Sequence, residues 1–556
     1  MRLGNFCCMG LLLISTAVAA GVHDPRALNA DPFTATSAIA PRLDGLGGAH
    51  FKVSTNSADS QFFFDQGLRL NTGFNHSEAL RSFKEAVRLD PDNAMAYWGW
   101  ALVLGPNLNL PMQEAVVATT WDAITRAQAL KYKVSEREAD YIDALAVRYS
   151  DDPSADRAAL DKAYAQAMGE LSAKYPADLD AATLYAAAIM NTNPWDYWYK
   201  DGTPKAHTKI LLAVLASVLQ RAPDHAAANH YYIHAVEAYR PELGVTAADR
   251  LYPLMPGAGH LVHMPSHIYM RVGRYRDSWQ INVEAAAADE SYISQCNAQG
   301  ILPLAYYPHN IHFQVWAAMM LGNSEGAMQA ARKIEVKMPA RMKDNPWGIN
   351  ESFRSQPMFA MVRFGLWQQV LAEPKPKGGA PYMQGIWHYG RGLAFTHMGK
   401  RNSARQELGL LTQQRKAVQA EPGYGVGFAA ASTLMLIAEN VLAGELDAKA
   451  GKYPAAITAL DQAVRLQDSL RYNEPPDWYF PVRHIQGALL LEAGRPAEAE
   501  VVYWEDLRRN PGNGYSLFGL RQSLLAQNDT GTAAEVQDRF EKAWSGADVS
   551  LTSSRY

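Results

Sequence analysis

The sequence predicts an all-α fold, a solenoid of stacked helix pairs. Three observations carry this: one residue spacing recurs, apolar positions follow the helical period, and no convincing run alternates apolar with polar residues. Gly67, Leu70, Ala79, Phe83, Ala86 and Pro91 stand at intervals of 3, 9, 4, 3 and 5, and Gly487, Leu490, Ala499, Tyr503, Asp506 and Pro511 repeat them. Gly392, Phe395, Ala404, Leu408 and Leu411 match the first four intervals, as do Val315, Ala318, Ala327, Ala331 and Ile334; Gly444, Asp447, Ala456, Leu460 and Ala463 follow more loosely. Small residues let two antiparallel helices approach, large ones fill the space between them, and proline ends the second helix.

In order along the chain, residues 1–20, "MRLGNFCCMGLLLISTAVAA", join Arg2 to a short apolar core and an Ala-Val-Ala end. That is the pattern of a secretory signal peptide, so the protein is expected to be exported, periplasmic or secreted. Cleavage after Ala20 would expose Gly21-Val22-His23, a start that suits square-planar Cu(II) or Ni(II). Residues 21–60 are rich in Pro, Gly, Ser and Ala and read as an extended arm. Helical patterning then runs through 61–225 with insertions, through a central histidine-rich region at 226–345, and through 346–556. Ser135 and Glu138 form a capping box that opens a helix.

Composition excludes several classes. The formal net charge is −4 with no long basic run, which argues against nucleic acid. No later segment reaches ~18 uninterrupted apolar residues, so no membrane span is expected. Cys7 and Cys8 fall in the signal and only Cys296 remains, so there is no disulfide framework; Cys296 reads as a small buried apolar residue.

The stretches "FDQGLRLNTGFNHSEALRSFKEAVRLDPDNAMAYWGWAL" and "PVRHIQGALLLEAGRPAEAEVVYWEDLRRNPGNGYSLFGL" resemble tetratricopeptide (TPR) repeats. The resemblance implies a right-handed superhelical solenoid of helix hairpins whose first helices face a concave groove. Together "PWDYW", "NHYYIHAVE", "GAGHLVHMPSHIYMRVGRY" and "PHNIHF" are similar to a group of exported bacterial TPR proteins with a polyhistidine segment. That likeness is silent on chemistry.

Histidines crowd one part of this frame. Residues 230–312 hold seven: His230, His234, His260, His263, His267, His309 and His312. The average of 15 in 556 would place about two there. His230 to His263 and His234 to His267 are each 33 residues, one repeat length, so the two pairs are expected side by side around one ion. His309 and His312 precede Val315 by the same six and three residues that His260 and His263 precede Ser266. His484 shares the offset but lies several repeats away, so it is left out of the site and, as a groove residue, is expected to add little stability.

Imidazole nitrogen suits zinc and copper, and acidic neighbours are few. Glu237, one turn beyond His234, is the candidate acid or base. Met255, Met264 and Met270 read as packing before thioether ligands, and Trp195 and Trp198 as core before groove. Tyr231, Tyr232 and Tyr269 flank the histidines, and Arg250 and Arg271 could hold an anion. No G-x-S-x-G, P-loop, H-E-x-x-H or dinucleotide fingerprint is present. The expected function is a groove-facing copper or zinc site, in an oxidoreductase or hydrolase acting on a small molecule. The alternative is a non-catalytic metal-binding protein, or a scaffold whose groove takes a peptide.

Overall fold

The computed structural model describes residues 23–298, 300–337, 349–377 and 380–556. The signal segment 1–20 and the Gly21-Val22 start lie outside the described residues. Two compact units hold them: residues 23–268 with 284–307, called here the first unit, and 269–283 with 308–556, the second.

Both units are all-α and built from helix hairpins. The first begins with the pairs Ala58–Thr72 and His76–Leu89, then Ala94–Leu104 and Val117–Ala129, and continues through Glu136–Ala146, Arg157–Lys174, Leu179–Thr192 and Ala206–Arg221. It ends with Ala226–Val236, Pro241–Leu251 and the short Gly259–His263. Each helix packs chiefly on its neighbours in sequence, as in a solenoid. The second unit repeats the plan, from Pro381–His397 with Arg401–Gln419 to Gly514–Ala526 with Thr530–Trp544. Among the described residues the only ladder is two residues long, Gly425–Val426 against Ala429–Ala430.

The recurring spacing has a direct packing meaning. A Cβ on Gly67 would come within 2.7 Å of the Phe83 ring and one on Gly99 within 2.2 Å, so Phe83 fills a slot between two bare backbones. Tyr503 does the same between Gly487 (2.4 Å) and Gly519 (2.2 Å). The second helices stop before the prolines, at Leu89 and Arg509. The capping box forms as expected: the Ser135 hydroxyl accepts from Glu138 N, and Glu138 reaches back to Ser135 N at 3.0 Å.

Seven residues after each of these first-helix small residues the chain turns through a left-handed backbone. Gly494, Gly451, Gly399 and Gly322 occupy that turn, at φ from +69° to +76°. The first hairpin departs from the rule, because Phe74 holds it at φ +55°. A side chain there costs roughly 1–2 kcal/mol relative to glycine.

The arm over 23–60 is not loose. Apart from the helix Pro25–Asn29 and its last three residues, which already start the helix Ala58–Thr72, it is irregular, yet Ala27, Ile39, Leu46, Phe51 and Val53 are buried. Lys84, itself buried, donates to the carbonyls of Ala27, Leu28 and Ala30, each at 2.8 Å.

Candidate metal centre

Five of the seven histidines lie in the first unit. His230 and His234 are one turn apart on the helix Ala226–Val236, so their rings lie side by side along one face, tilted 48° to each other. His260 and His263 sit on Gly259–His263, and His267 follows Pro265, whose missing N–H ends that short helix. All five are buried, between 0 and 6% exposed.

His230, His234 and His260 each offer a nitrogen, all within 4.8 Å of one another. Ring centroids lie 4.8 Å apart for His230 and His234, and 5.1 Å for His230 and His260. Sequence spacing sets His230 beside His263; the structure groups it with His260, one turn earlier. The two helices are thus staggered by about one turn relative to their register in sequence. His263 and His267 pair instead with each other, Nε2 to Nε2 at 2.9 Å.

Hydrogen bonds fix the tautomers. His230 Nδ1 donates to the Thr72 carbonyl at 2.8 Å, which leaves the lone pair on Nε2, a buried atom with no hydrogen-bond partner. Glu237 stands between two rings, with Oε1 3.4 Å from His234 Nδ1 and Oε2 3.4 Å from His267 Nδ1. His267 Nε2 then accepts from His263 Nε2, and His263 Nδ1 accepts from the Ser266 hydroxyl at 3.3 Å. This is the arrangement in which carboxylates and carbonyls orient metal-binding imidazoles. Burial pushes His230 down to about 3, so the ring is neutral and its lone pair available at any ordinary pH.

Aromatic rings close the site. Phe74 touches three histidines, with centroids 4.6 Å from His230, 5.2 Å from His260 and 5.9 Å from His234. Tyr306 lies 4.8 Å from His260, at the end of the π-helical turn Leu302–Tyr306. Trp195, read from sequence as core, is instead 41% exposed at φ +62° and meets His234 edge-on at 5.3 Å. Left-handed Phe74 and Trp195 therefore both flank the histidines, as strained residues at functional sites do. Trp198 is core as expected, donating to Ala235 O at 2.7 Å.

The remaining candidates have other settings. In the second unit, His312 is buried against Phe353, centroids 5.8 Å apart, and burial lowers it to about 3; His309 packs on Phe313 at 5.0 Å. Arg271 pairs with Glu474 at 3.6 Å, whereas Arg250 is exposed. Met255, Met264 and Met270 are buried. Burial, followed by the nearby Glu78 charge, pushes the Cys296 thiol up to about 12, so it is no nucleophile.

In sequence the chain matches no family model and no curated protein. Solved structures give a faint likeness. Human IFIT1 with m7Gppp-AAAA is 12% identical at a TM-score of 0.30, covering 88% of this chain and 90% of that one. Yeast Tom70 is 12% identical at 0.30, covering 87% and 96%. The TPR domain of P58(IPK) is 14% identical at 0.21, covering 85% and 99%.

The expectation that His484 contributes little to stability is corrected. Its side chain is fully buried in the second unit, with Nδ1 accepting from Arg363 Nη2 and Nε2 donating to Asp506 Oδ2, both at 3.0 Å. Both of its ring nitrogens are bonded within a buried polar cluster of the second unit.

Proposed function

We propose that the chain is an exported, TPR-like helical scaffold carrying a transition-metal site at His230, His234 and His260. The supporting observation is the set of three buried imidazole nitrogens, two of them on rings oriented by an oxygen acceptor. Two nitrogens on one tetrahedral zinc are roughly 3.4 Å apart at a metal–nitrogen distance of ~2.0–2.1 Å. Small ring rotations bring three atoms from within 4.8 Å to those positions. Nitrogen-only ligation suits copper or zinc over calcium or magnesium. Glu237 serves this site as an orienting carboxylate, which replaces its sequence reading as acid or base. The reading is of binding rather than turnover: nothing in the donor set singles out an oxidation or a hydrolysis.

A peptide-docking scaffold is the second reading, favoured by the hairpin fold itself. It does not account for five histidines with at most 6% exposure, which a peptide could not reach. Elemental analysis of protein purified from its native compartment, with zinc and copper titrations of the chelator-stripped chain, decides. Stoichiometric metal that falls at least ~10-fold in affinity in His230→Ala supports the site. A wild-type chain that binds neither ion leaves the scaffold.

A further inference from the structure

His230, His234 and His260 are all buried, so an ion reaches their nitrogens only if a covering group moves. Among the described residues, four aromatic rings pack against the three imidazoles. Three of them are fixed. Phe74 and Tyr231 are themselves buried, and Tyr231 stacks on His230 with centroids 5.4 Å apart. The Tyr306 hydroxyl accepts from Asn109 Nδ2 at 3.3 Å, and burial pushes that phenol up to about 12.

Trp195 is the fourth, and it differs from the others. It is 41% exposed, lies between helices, and sets the edge of its ring against His234. The turn that carries it is built in an unusual way. Asp196 N donates to the Asn193 carbonyl at 3.1 Å, which closes a turn with Pro194 second and Trp195 third. A left-handed third position after proline normally holds glycine or asparagine, yet here a tryptophan stands at φ +62°. The turn is anchored on both sides without the indole. Asn193 N donates to the Met190 carbonyl at 3.2 Å, His207 Nε2 donates to the Asp196 carbonyl at 3.0 Å, and Tyr197 and Trp198 are buried. The ring is thus free to turn outward while its loop stays seated.

We propose that Trp195 is the gate of the metal site. Closed, its ring covers His234; turned into solvent, it opens the path by which the ion enters and leaves. The inference rests on the metal-site reading and adds the route of exchange to it.

Two measurements on the full chain test the gate. The first needs no metal. Diethyl pyrocarbonate acylates neutral imidazole, and mass spectrometry after digestion reads each histidine separately. Exposed His50 sets the reference rate. His234 should react far more slowly than His50 in the wild type. Trp195→Gly removes the ring and suits the backbone angle, so its turn should fold at least as well. Its His234 should react about tenfold faster than in the wild type, because the rate follows the open fraction. Trp195→Ala should behave alike. Tyr199→Ala, which trims another exposed ring of the same loop, should change nothing. The second measurement follows zinc by stopped flow, in loading and in release to excess chelator. Trp195→Gly should speed both by a similar factor and leave the affinity nearly unchanged, since a gate alters the two rates together. Unchanged His234 labelling in the folded glycine variant overturns the proposal. So does faster release with unaltered loading, which would make Trp195 a part of the bound state. Zinc binding with unaltered rates removes the gate alone, whereas a wild-type chain that binds no zinc removes the metal reading and the gate with it.

Discussion

His230 in the first unit and His484 in the second are both fully buried, and each is pushed down in pKa chiefly by that burial. Their surroundings differ. His484 has an acceptor on one nitrogen and a donor on the other, and Asp506 is further held by Asn513 at 2.9 Å and Ser516 at 2.7 Å. His230 has one backbone acceptor, a bare second nitrogen, and other imidazoles as neighbours. A histidine closed on both sides holds a fold together. One closed on a single side, among others of its kind, leaves a lone pair that no protein group uses. Burial alone does not separate the two; the count of satisfied nitrogens does.

The largest expected effect tests the closed case. His484→Ala in the metal-free chain removes one of the donors to Asp506 and the acceptor of Arg363 Nη2, and leaves a cavity where a fully buried ring stood. Truncating a large buried ring to alanine and leaving a buried donor unpaired costs about 3–5 kcal/mol. Denaturant unfolding should show that loss, while zinc or copper affinity stays unchanged. A loss under about 1 kcal/mol would show that the network is not closed by His484.

A smaller effect per pH unit tests a histidine kept neutral by burial. His76, in the first unit, is lowered to about 3 by burial and by the neighbouring His23, and its Nδ1 accepts from Asn107 Nδ2 at 3.1 Å. It is neutral when folded and titrates near 6.5 when unfolded. The unfolded state therefore takes up the proton first, so the stabilising difference is present above about 6.5 and is lost as pH falls toward about 3. The slope is at most about 1.4 kcal/mol per pH unit for one such group. His76→Gln should flatten the acid limb of stability against pH in that window; an unchanged limb removes His76 from the account.

The fold was legible because packing wrote it into the spacing. Gly67, Phe83 and Gly99 stand 16 residues apart, as do Gly487, Tyr503 and Gly519, and each trio is a ring between two bare backbones. The crowding of histidines in the first unit was legible, since five of the seven singled out lie buried there. The partners that orient them were not. Thr72 contributes only its carbonyl, from 158 residues away, which no side-chain pattern records. The one-turn stagger that joins His230 to His260 is set by how two helices lean on each other, while sequence offset gives only their register. Trp195 was misread because an aromatic after a helix resembles core until its backbone angle is known. Phe74 left a trace that could have been found, as the one hairpin turn in the recurring frame that lacks its glycine.

That broken frame yields the smallest expected effect. Gly494 has nothing within 4 Å of a would-be Cβ, so Gly494→Ala adds no clash and only forces a side chain into the left-handed region at φ +72°. It should cost roughly 1–2 kcal/mol, and Gly494→Asn less, since asparagine tolerates that region better. The pair measures in isolation the strain that Phe74 carries in the first hairpin. Thermal unfolding of the two variants checks it. If Gly494→Ala proves as stable as wild type, the turn relaxes without cost, and the phenylalanine at the equivalent position stores no strain beside the histidines.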